Sequence, residues 1–242
     1  MQMMPTGKQL LLKAAAELGL NLETHIPQFS KLFELLTEVN QTTNLTAIRD
    51  EQGIILKHFV DSLTCLTYPG LLEAMSVIDV GTGAGFPGLP LAIVRPDTHF
   101  DLLDATKKKI EFVARAIQTL GLQNARALWG RSEELAHENV KRETYGAALS
   151  RAVSSLATVA ELTLPLVRVG GFVLVQKGAN VEQEIAGARG ALRKLGGEID
   201  QILRLELPVS KEARNLIILR KVAATPPAYP RKPGVPAKNP LS

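Results

Sequence analysis

Val77-Ile78-Asp79-Val80-Gly81-Thr82-Gly83-Ala84-Gly85-Phe86-Pro87-Gly88 carries an apolar, strand-length stretch directly into three glycines at alternate positions. Glycines at 81, 83 and 85 let the backbone bend sharply and approach a ligand, because no Cβ stands in the way. Pro87 suits the first turn of a following helix, where its missing N–H is not needed. The N-terminus of that helix then points at whatever lies over the end of the strand.

Working outward, the same alternation recurs. Strands are expected over 100–103, 125–129, 146–150 and 171–176, separated by helices over 88–94, 107–120, from 132, and over 156–166. A helix over 181–195 is followed by two strands, 199–207 and 215–221, with no helix between them. Alternating strand and helix predicts a Rossmann-like α/β fold, a mainly parallel seven-stranded sheet covered on both faces. The closing pair predicts an antiparallel last strand. Upstream, residues 8–20 have helical composition, and Phe29, Leu32, Phe33, Leu36 and Val39 mark one helical face. A loop over 40–50 and a helix over 51–66 complete an N-terminal helical layer, residues 1–70, expected to pack on a main domain of residues 71–222. Residues 223–242 hold Arg231, Lys232 and Lys238, no acid, and six of the 14 prolines. Such a stretch makes neither a helix nor a central strand. It is expected as a basic tail, extended over a surface or, as its composition favours, disordered.

The composition narrows the class of protein. With 242 residues and 45% hydrophobic side chains, the chain can bury a sizeable core. No apolar run approaches the roughly 18 residues of a membrane span, and the N-terminus shows no signal peptide. Cys65 stands alone, and the histidines at 25, 58, 99 and 137 lack metal-ligand spacing. These features lead us to expect a cytoplasmic monomer without a metal. A net charge of +4 is compatible with a polyanionic partner without requiring one.

Two kinds of cofactor use a glycine turn of this type. A dinucleotide site needs G-x-G-x-x-G starting where the strand ends. Counted from Gly81, the sixth position is Phe86, and the matching register from Gly83 starts two residues late and contains Pro87. The run Asp79-Val80-Gly81-Thr82-Gly83-Ala84-Gly85 instead resembles the acid-G-x-G-x-G turn of class I methyltransferases, which seats an amino-acid moiety. Asp104 ends the next strand 19 residues after Gly85, where an acid grips ribose hydroxyls. Both S-adenosylmethionine and NAD carry that diol, so Asp104 supports a nucleoside cofactor without choosing between them. An NAD-dependent oxidoreductase therefore stays as the alternative from another class.

Extended along the chain, the resemblance becomes specific. Phe86-Pro87-Gly88-Leu89-Pro90-Leu91-Ala92 after the glycines, Asn44-Leu45-Thr46-Ala47-Ile48, His58-Phe59-Val60-Asp61-Ser62-Leu63 and Leu103-Asp104-Ala105-Thr106-Lys107-Lys108-Lys109 are similar to the bacterial 16S rRNA guanine-N7 methyltransferases. Ser150-Arg151-Ala152 and Tyr229-Pro230-Arg231-Lys232-Pro233-Gly234-Val235-Pro236 agree with the same RsmG or GidB group. The resemblance runs from about residue 30 to the C-terminus. It implies methyl transfer from S-adenosyl-L-methionine to N7 of a guanine in 16S rRNA or a small-subunit precursor. It also implies cofactor contacts at Gly81, Phe86, Asp104, Ala105, Thr106, Ser132, Glu133 and Arg151, beside Gly83 and Gly85 of the turn itself. A methyltransferase acting on a small molecule or a protein would share that cofactor site.

Guanine N7 bears an in-plane lone pair and no proton, so its methylation calls for alignment rather than a general base. The residues after the fourth strand, Ser150-Arg151-Ala152-Val153, are not the Asp/Asn-Pro-Pro-aromatic loop of exocyclic-amine methyltransferases. Cys65 lies in the helical layer, away from any loop that could serve cytosine C5 chemistry. No catalytic residue is identified; Arg151 and Lys177 are the candidates for orienting the substrate. Candidate RNA contacts are Arg49, Lys57, His58, Lys107, Lys108, Lys109, Lys177, Arg231 and Lys232. Lys177 is the strongest, at the carboxyl end of a strand. His58 and Asp61 share a helical face and are expected to anchor the helical layer to the sheet. Trp129, inside a strand, is expected in the core.

Overall fold

The computed structural model describes residues 1–151 and 154–242; Ala152 and Val153, part of the loop compared above, lie outside the described residues. The chain opens with α1 (Pro5–Glu17) and α2 (Ile26–Val39). Asp50 caps the next helix by accepting the Gly53 N–H at 2.7 Å. That helix begins as α3 (Glu51–Ile54), widens into a π segment over Ile55–Val60, and returns to α geometry in α4 (Asp61–Leu63). After α5 (Pro69–Glu73) come β1 (Ser76–Val80), α6 (Gly88–Val94), β2 (His99–Asp104), α7 (Lys107–Leu120), β3 (Ala125–Trp129) and α8 (Ser132–Leu135). β4 (Tyr145–Arg151), α9 (Leu156–Thr163), β5 (Val167–Lys177), α10 (Glu182–Leu195), β6 (Gly197–Glu206), β7 (Ala213–Lys221) and α11 (Val235–Lys238) complete it.

The seven strands form one sheet in the order β3-β2-β1-β4-β5-β7-β6. The first five are parallel, and β7 inserts antiparallel between β5 and β6. Strand order reverses between β1 and β4, the crevice where open α/β sheets bind ligands. Successive strand residues point to opposite faces. Val77, Leu102, Leu149 and Ile218 therefore join Phe29, Phe33 and Phe59 of the N-terminal helices in one core. Ile78, Leu103, Ala148 and Ile217 join Leu156 and Leu192 in the other. α7 buries Ile110, Val113, Ala116 and Leu120 and stops at Gly121, which adopts φ +66°.

Trp129 does not lie in the core. β3 is the edge of the sheet, and the side chain is 63% exposed, its Nε1–H donating to the Ala105 carbonyl at 3.1 Å. The edge is fastened elsewhere. On β2 the buried Asp101 accepts from Arg126 of β3 at 2.9 and 3.0 Å, and from Lys141 at 2.8 Å. Burial alone would raise this carboxyl, but those bonds and the Tyr145 hydroxyl outweigh it and hold it far below the usual range.

Contrary to the sequence expectation, the segment 223–242 is neither disordered nor free of helix: it lies on the surface formed by α8, α9 and α10 and includes the single turn α11, which Pro236 enters at its start. Its main fastening is Arg231, whose guanidinium meets Glu161 of α9 at 2.7 and 2.8 Å. Glu161 is 0% exposed. Arg231→Ala should leave that carboxylate buried and unpaired at a cost of about 3–5 kcal/mol. The paired change Glu161→Leu with Arg231→Leu should cost less, and urea unfolding of both proteins measures the difference. Equal losses would show that the ion pair is not what fastens the segment.

Candidate cofactor and substrate site

The glycine turn is closed by a buried carboxylate. Asp79 Oδ2 accepts the Thr82 hydroxyl at 2.6 Å and the Gly88 N–H at 2.9 Å, tying the end of β1 to the start of α6. Asp79 is 0% exposed, and burial raises its carboxyl to about 6 against the lowering effect of those two bonds. The N–H groups of Gly81 and Thr82 both donate to the Leu103 carbonyl, at 2.9 and 3.0 Å, which presses the turn onto β2. Gly81, Gly83 and Gly85 take φ of +75°, +61° and +86°. Only glycine enters that region freely. A Cβ on Gly85 would lie 2.3 Å from Leu89, whereas one on Gly83 would meet nothing within 4 Å. Gly83 thus forms the open side of the bend.

Asp104 ends β2 beside that open side. Its Oδ2 accepts the Gly83 N–H at 2.9 Å and its Oδ1 the Thr106 N–H at 2.8 Å. Ala105 and Thr106 are exposed next to it. Ser132 and Glu133 follow β3 and are buried, the Ser132 hydroxyl on the Leu162 carbonyl and Glu133 Oε1 on the Gly234 N–H at 2.9 Å.

On the other side of the turn stands Phe86, buried, with the His58 ring stacked on it at 4.6 Å and 7° and Arg151 5.5 Å from its centroid. Arg151 donates to the Lys57 carbonyl at 2.9 Å, to Asp61 Oδ2 at 3.0 Å and to His58 Nδ1 at 3.3 Å. A guanidinium only donates, so Nδ1 is the acceptor and the ring proton sits on Nε2, facing Thr46 Oγ1 at 2.8 Å. Burial, and next the Arg151 charge, lower the His58 pKa to about 3. The other oxygen of Asp61 takes Arg214 of β7 at 3.0 Å. The π segment supplies Lys57 and His58 to this junction; such widened turns often accompany functional sites.

Two adjoining clefts open here, sharing Ile48 and Lys57. One, of about 390 Å³, is lined by His58, Asp61, Arg151, Gln176, Lys177 and Arg214 among others. The larger, of about 650 Å³, includes Arg49, Asp50 and Glu212 and lies farther from the turn. The smaller is the one that contains Arg151. Beside it, Gln176 Oε1 and Asn215 Oδ1 are buried acceptors without partners among the described residues.

Arg49, Lys57, His58, Arg151 and Lys177 therefore meet around these clefts. Lys57 pairs with Glu212 at 2.8 Å, and Lys177 lies on Glu184 at 2.8 Å and on the Ser154 carbonyl. Lys107, Lys108 and Lys109 start α7 on the far flank, with Lys107 Nζ 5.6 Å from the Trp129 ring centroid. Arg231 and Lys232 sit on the C-terminal segment, the first committed to Glu161. Arg214 and Thr46 were not singled out from sequence. A lone arginine on a late strand carries no spacing that separates it from a solvated charge.

The fold and this turn can be compared with known proteins. A family model described as rRNA small subunit methyltransferase G, GidB, matches residues 25–217. The chain belongs to this family. A relative with that name from Pelotomaculum thermopropionicum is 44% identical over 230 residues, 95% of this chain and 96% of its own. Another from Deinococcus radiodurans is 46% identical over 237 residues, 98% and 94%. Among solved structures, a SAM-dependent methyltransferase from Aquifex aeolicus shares the fold at TM-score 0.51 and 14% identity, covering 73% of this chain and 96% of its own. A 16S rRNA (adenine(1408)-N(1))-methyltransferase from Catenulisporales acidiphilia matches at TM-score 0.51 and 14% identity, over 65% and 90%.

The methyl donor of this family is S-adenosylmethionine, and the turn fits it. Among the described residues Asp79 Oδ1 is a buried acceptor without a partner, beneath the bend and suited to an ammonium. Asp104 spends one lone pair on each of its two backbone bonds, which leaves acceptor capacity for a ribose diol. Membership of a methyltransferase family displaces the NAD alternative.

Gly83→Asp should abolish S-adenosylhomocysteine binding, weakening it at least about 100-fold, because a carboxylate would enter the open side beside Asp104. Calorimetric titration with circular dichroism as the folding control checks this; retained affinity would mean the bend seats something else. A second outcome concerns pH. As pH falls below 6.5 the unfolded chain protonates His58 while the folded chain does not, so stability falls toward acid. Between pH 6.5 and about 4.5 this group should remove about 2 kcal/mol, a loss absent in His58→Gln. Urea midpoints of the two proteins at both pH values provide the measurement, and parallel behaviour would contradict the buried neutral ring.

Proposed function

We propose that this protein methylates N7 of one guanine in 16S rRNA, presented in the small ribosomal subunit or its precursor. The observation that carries the reading is the state of the acceptors at the pocket mouth. Asp61 has each oxygen on a guanidinium, Arg151 or Arg214, both at 3.0 Å. His58 accepts at Nδ1 and donates from Nε2. Neither of these two groups is free to take a proton from a substrate. Guanine N7 has none to give; its lone pair attacks directly, and the product carries the positive charge.

S-adenosylmethionine, when bound, supplies an electrophilic methyl on sulfonium sulfur. Gly81, Gly83 and Gly85 give the close backbone approach, Phe86 walls the seat, and Asp104 with Ala105 and Thr106 holds the ribose side. Ser132 and Glu133 set the adenine side. Arg151, fixed by Lys57, His58 and Asp61, orients the acceptor nucleotide, and Lys177 and Arg214 line the same pocket. The work of the protein is alignment and exclusion of water. Cytosine C5 chemistry is disfavoured because Cys65 is buried, and burial pushes its thiol well above the usual range.

Methyl transfer from labelled S-adenosylmethionine to small ribosomal subunits, followed by mapping of the modified nucleotide, tests the proposal. Label at N7 of a single guanine is expected; label on an exocyclic amine, a ribose hydroxyl or a protein would refute it. In the same assay Arg151→Ala should lower kcat/KM for the RNA substrate about 100-fold or more. An unaltered value would remove Arg151 from the acceptor pocket.

A further inference from the structure

Beyond β7 the chain runs back over α8, α9 and α10 and is bonded along its length. Glu143 accepts the Thr225 N–H at 2.7 Å, and Arg142 donates to the carbonyls of Thr225 and Tyr229 at 2.8 and 2.9 Å. His137 Nε2 meets the Pro230 carbonyl at 2.9 Å, and Arg231 closes its fork on Glu161. Gly234 then turns through φ +82° and donates its N–H to Glu133 Oε1 at 2.9 Å. Two residues later the Pro236 carbonyl accepts the Thr158 hydroxyl at 3.0 Å.

The Gly234 bond reaches the cofactor side. Ser132 and Glu133 follow β3 at its carboxyl end, where the adenine of a bound nucleoside lies in this fold; that placement rests on the site reading given above. Both side chains face inward, Ser132 onto the Leu162 carbonyl and Glu133 onto Gly234. Among the described residues, the Gly234 N–H is the one hydrogen-bond donor on the Glu133 carboxylate. The turn that meets adenine is therefore held from behind by α9 and by the C-terminal segment together.

We propose that residues 229–236 form a strap that sets the adenine side of the cofactor seat, with Gly234 as its positioning residue. The backbone conformation at Gly234 requires glycine, while its surroundings do not: an added Cβ would meet nothing within 4 Å. A β-branched residue there disfavours the conformation that aims the N–H without creating a clash. The strap acts on donor affinity, through Glu133, and not on the acceptor pocket beside Arg151.

Full-length Gly234→Val, Glu133→Ala and the double variant test this by calorimetry with S-adenosylhomocysteine and by donor-dependent kinetics. Gly234→Val should weaken S-adenosylhomocysteine about three- to tenfold. It should raise the donor KM by the same factor and leave kcat at saturating donor within about twofold. Glu133→Ala should also weaken binding, and adding Gly234→Val to it should cause no further loss, because the strap acts through that carboxylate. Should Gly234→Val fail to fold, Gly234→Ala tests the same conformation more mildly. If neither single variant changes affinity, residues 132–133 do not meet adenine, and the site reading falls with the proposal. If Glu133→Ala weakens binding but Gly234→Val does not, or if the two effects add, the site reading stands and the strap is overturned.

Discussion

The carboxylate of Asp79 is the joint on which the cofactor seat depends. One oxygen holds both the Thr82 hydroxyl and the Gly88 N–H, so the end of β1, the turn and the start of α6 are fixed to a single atom. The closeness is enforced by glycine. A Cβ at Gly88 would lie 2.0 Å from Leu102 and 2.9 Å from Asp79 Oδ2. Burying an acid this completely has a cost, visible in a carboxyl raised to about 6. The two bonds offset part of that cost, and in return Gly83 is held open beside Asp104. Oδ1 is a polar atom left unsatisfied among the described residues, which gives a cationic ligand group a reason to settle there.

A second joint brings the helical layer into the site. Asp61 stands at the end of the π segment and bonds Arg151 of β4 and Arg214 of β7. Its backbone carbonyl also accepts the Gln176 amide of β5 at 2.7 Å. Three strands are thus gripped by one residue from outside the sheet. Removing either arginine would leave part of a nearly buried carboxylate unpaired, and such groups tolerate that poorly. The cleft around Arg151 and the packing of the N-terminal helices are therefore one structure, which is why His58 can lie on Phe86 while holding Arg151.

Much of this was legible in the sequence, for physical reasons. The strand-glycine-helix signal at 77–88 is local, and local backbone demands are written in residue type. Asp104 was legible because the length of one helical crossover fixes its distance from the turn. The π segment was not, since Ile54, Ile55, Phe59 and Leu63 suit an ordinary helix and nothing marks where a turn widens. Arg214 was invisible because its meaning comes from the antiparallel insertion of β7, a tertiary fact. Trp129 was misread because its strand identity was correct but its place at the sheet edge could not be seen. The C-terminal segment reads as disordered by composition; its order comes from partners 70 to 101 residues upstream, Glu133, Arg142 and Glu161.

The charge arrangement bears on how a polyanion meets this surface. The net charge is only +4, and the cations around the clefts are largely neutralised within the protein. Lys57 and Arg214 share Glu212, Lys177 lies on Glu184, and Arg151 and Arg214 share Asp61. A phosphate approaching this surface must compete with a carboxylate already in place, so general attraction to polyanions is weak. A substrate gains only where its shape lets it replace those pairs while seating a base in the pocket. On the function proposed above, specificity comes from making wrong RNAs pay for unpaired acids rather than from strong binding of all RNA.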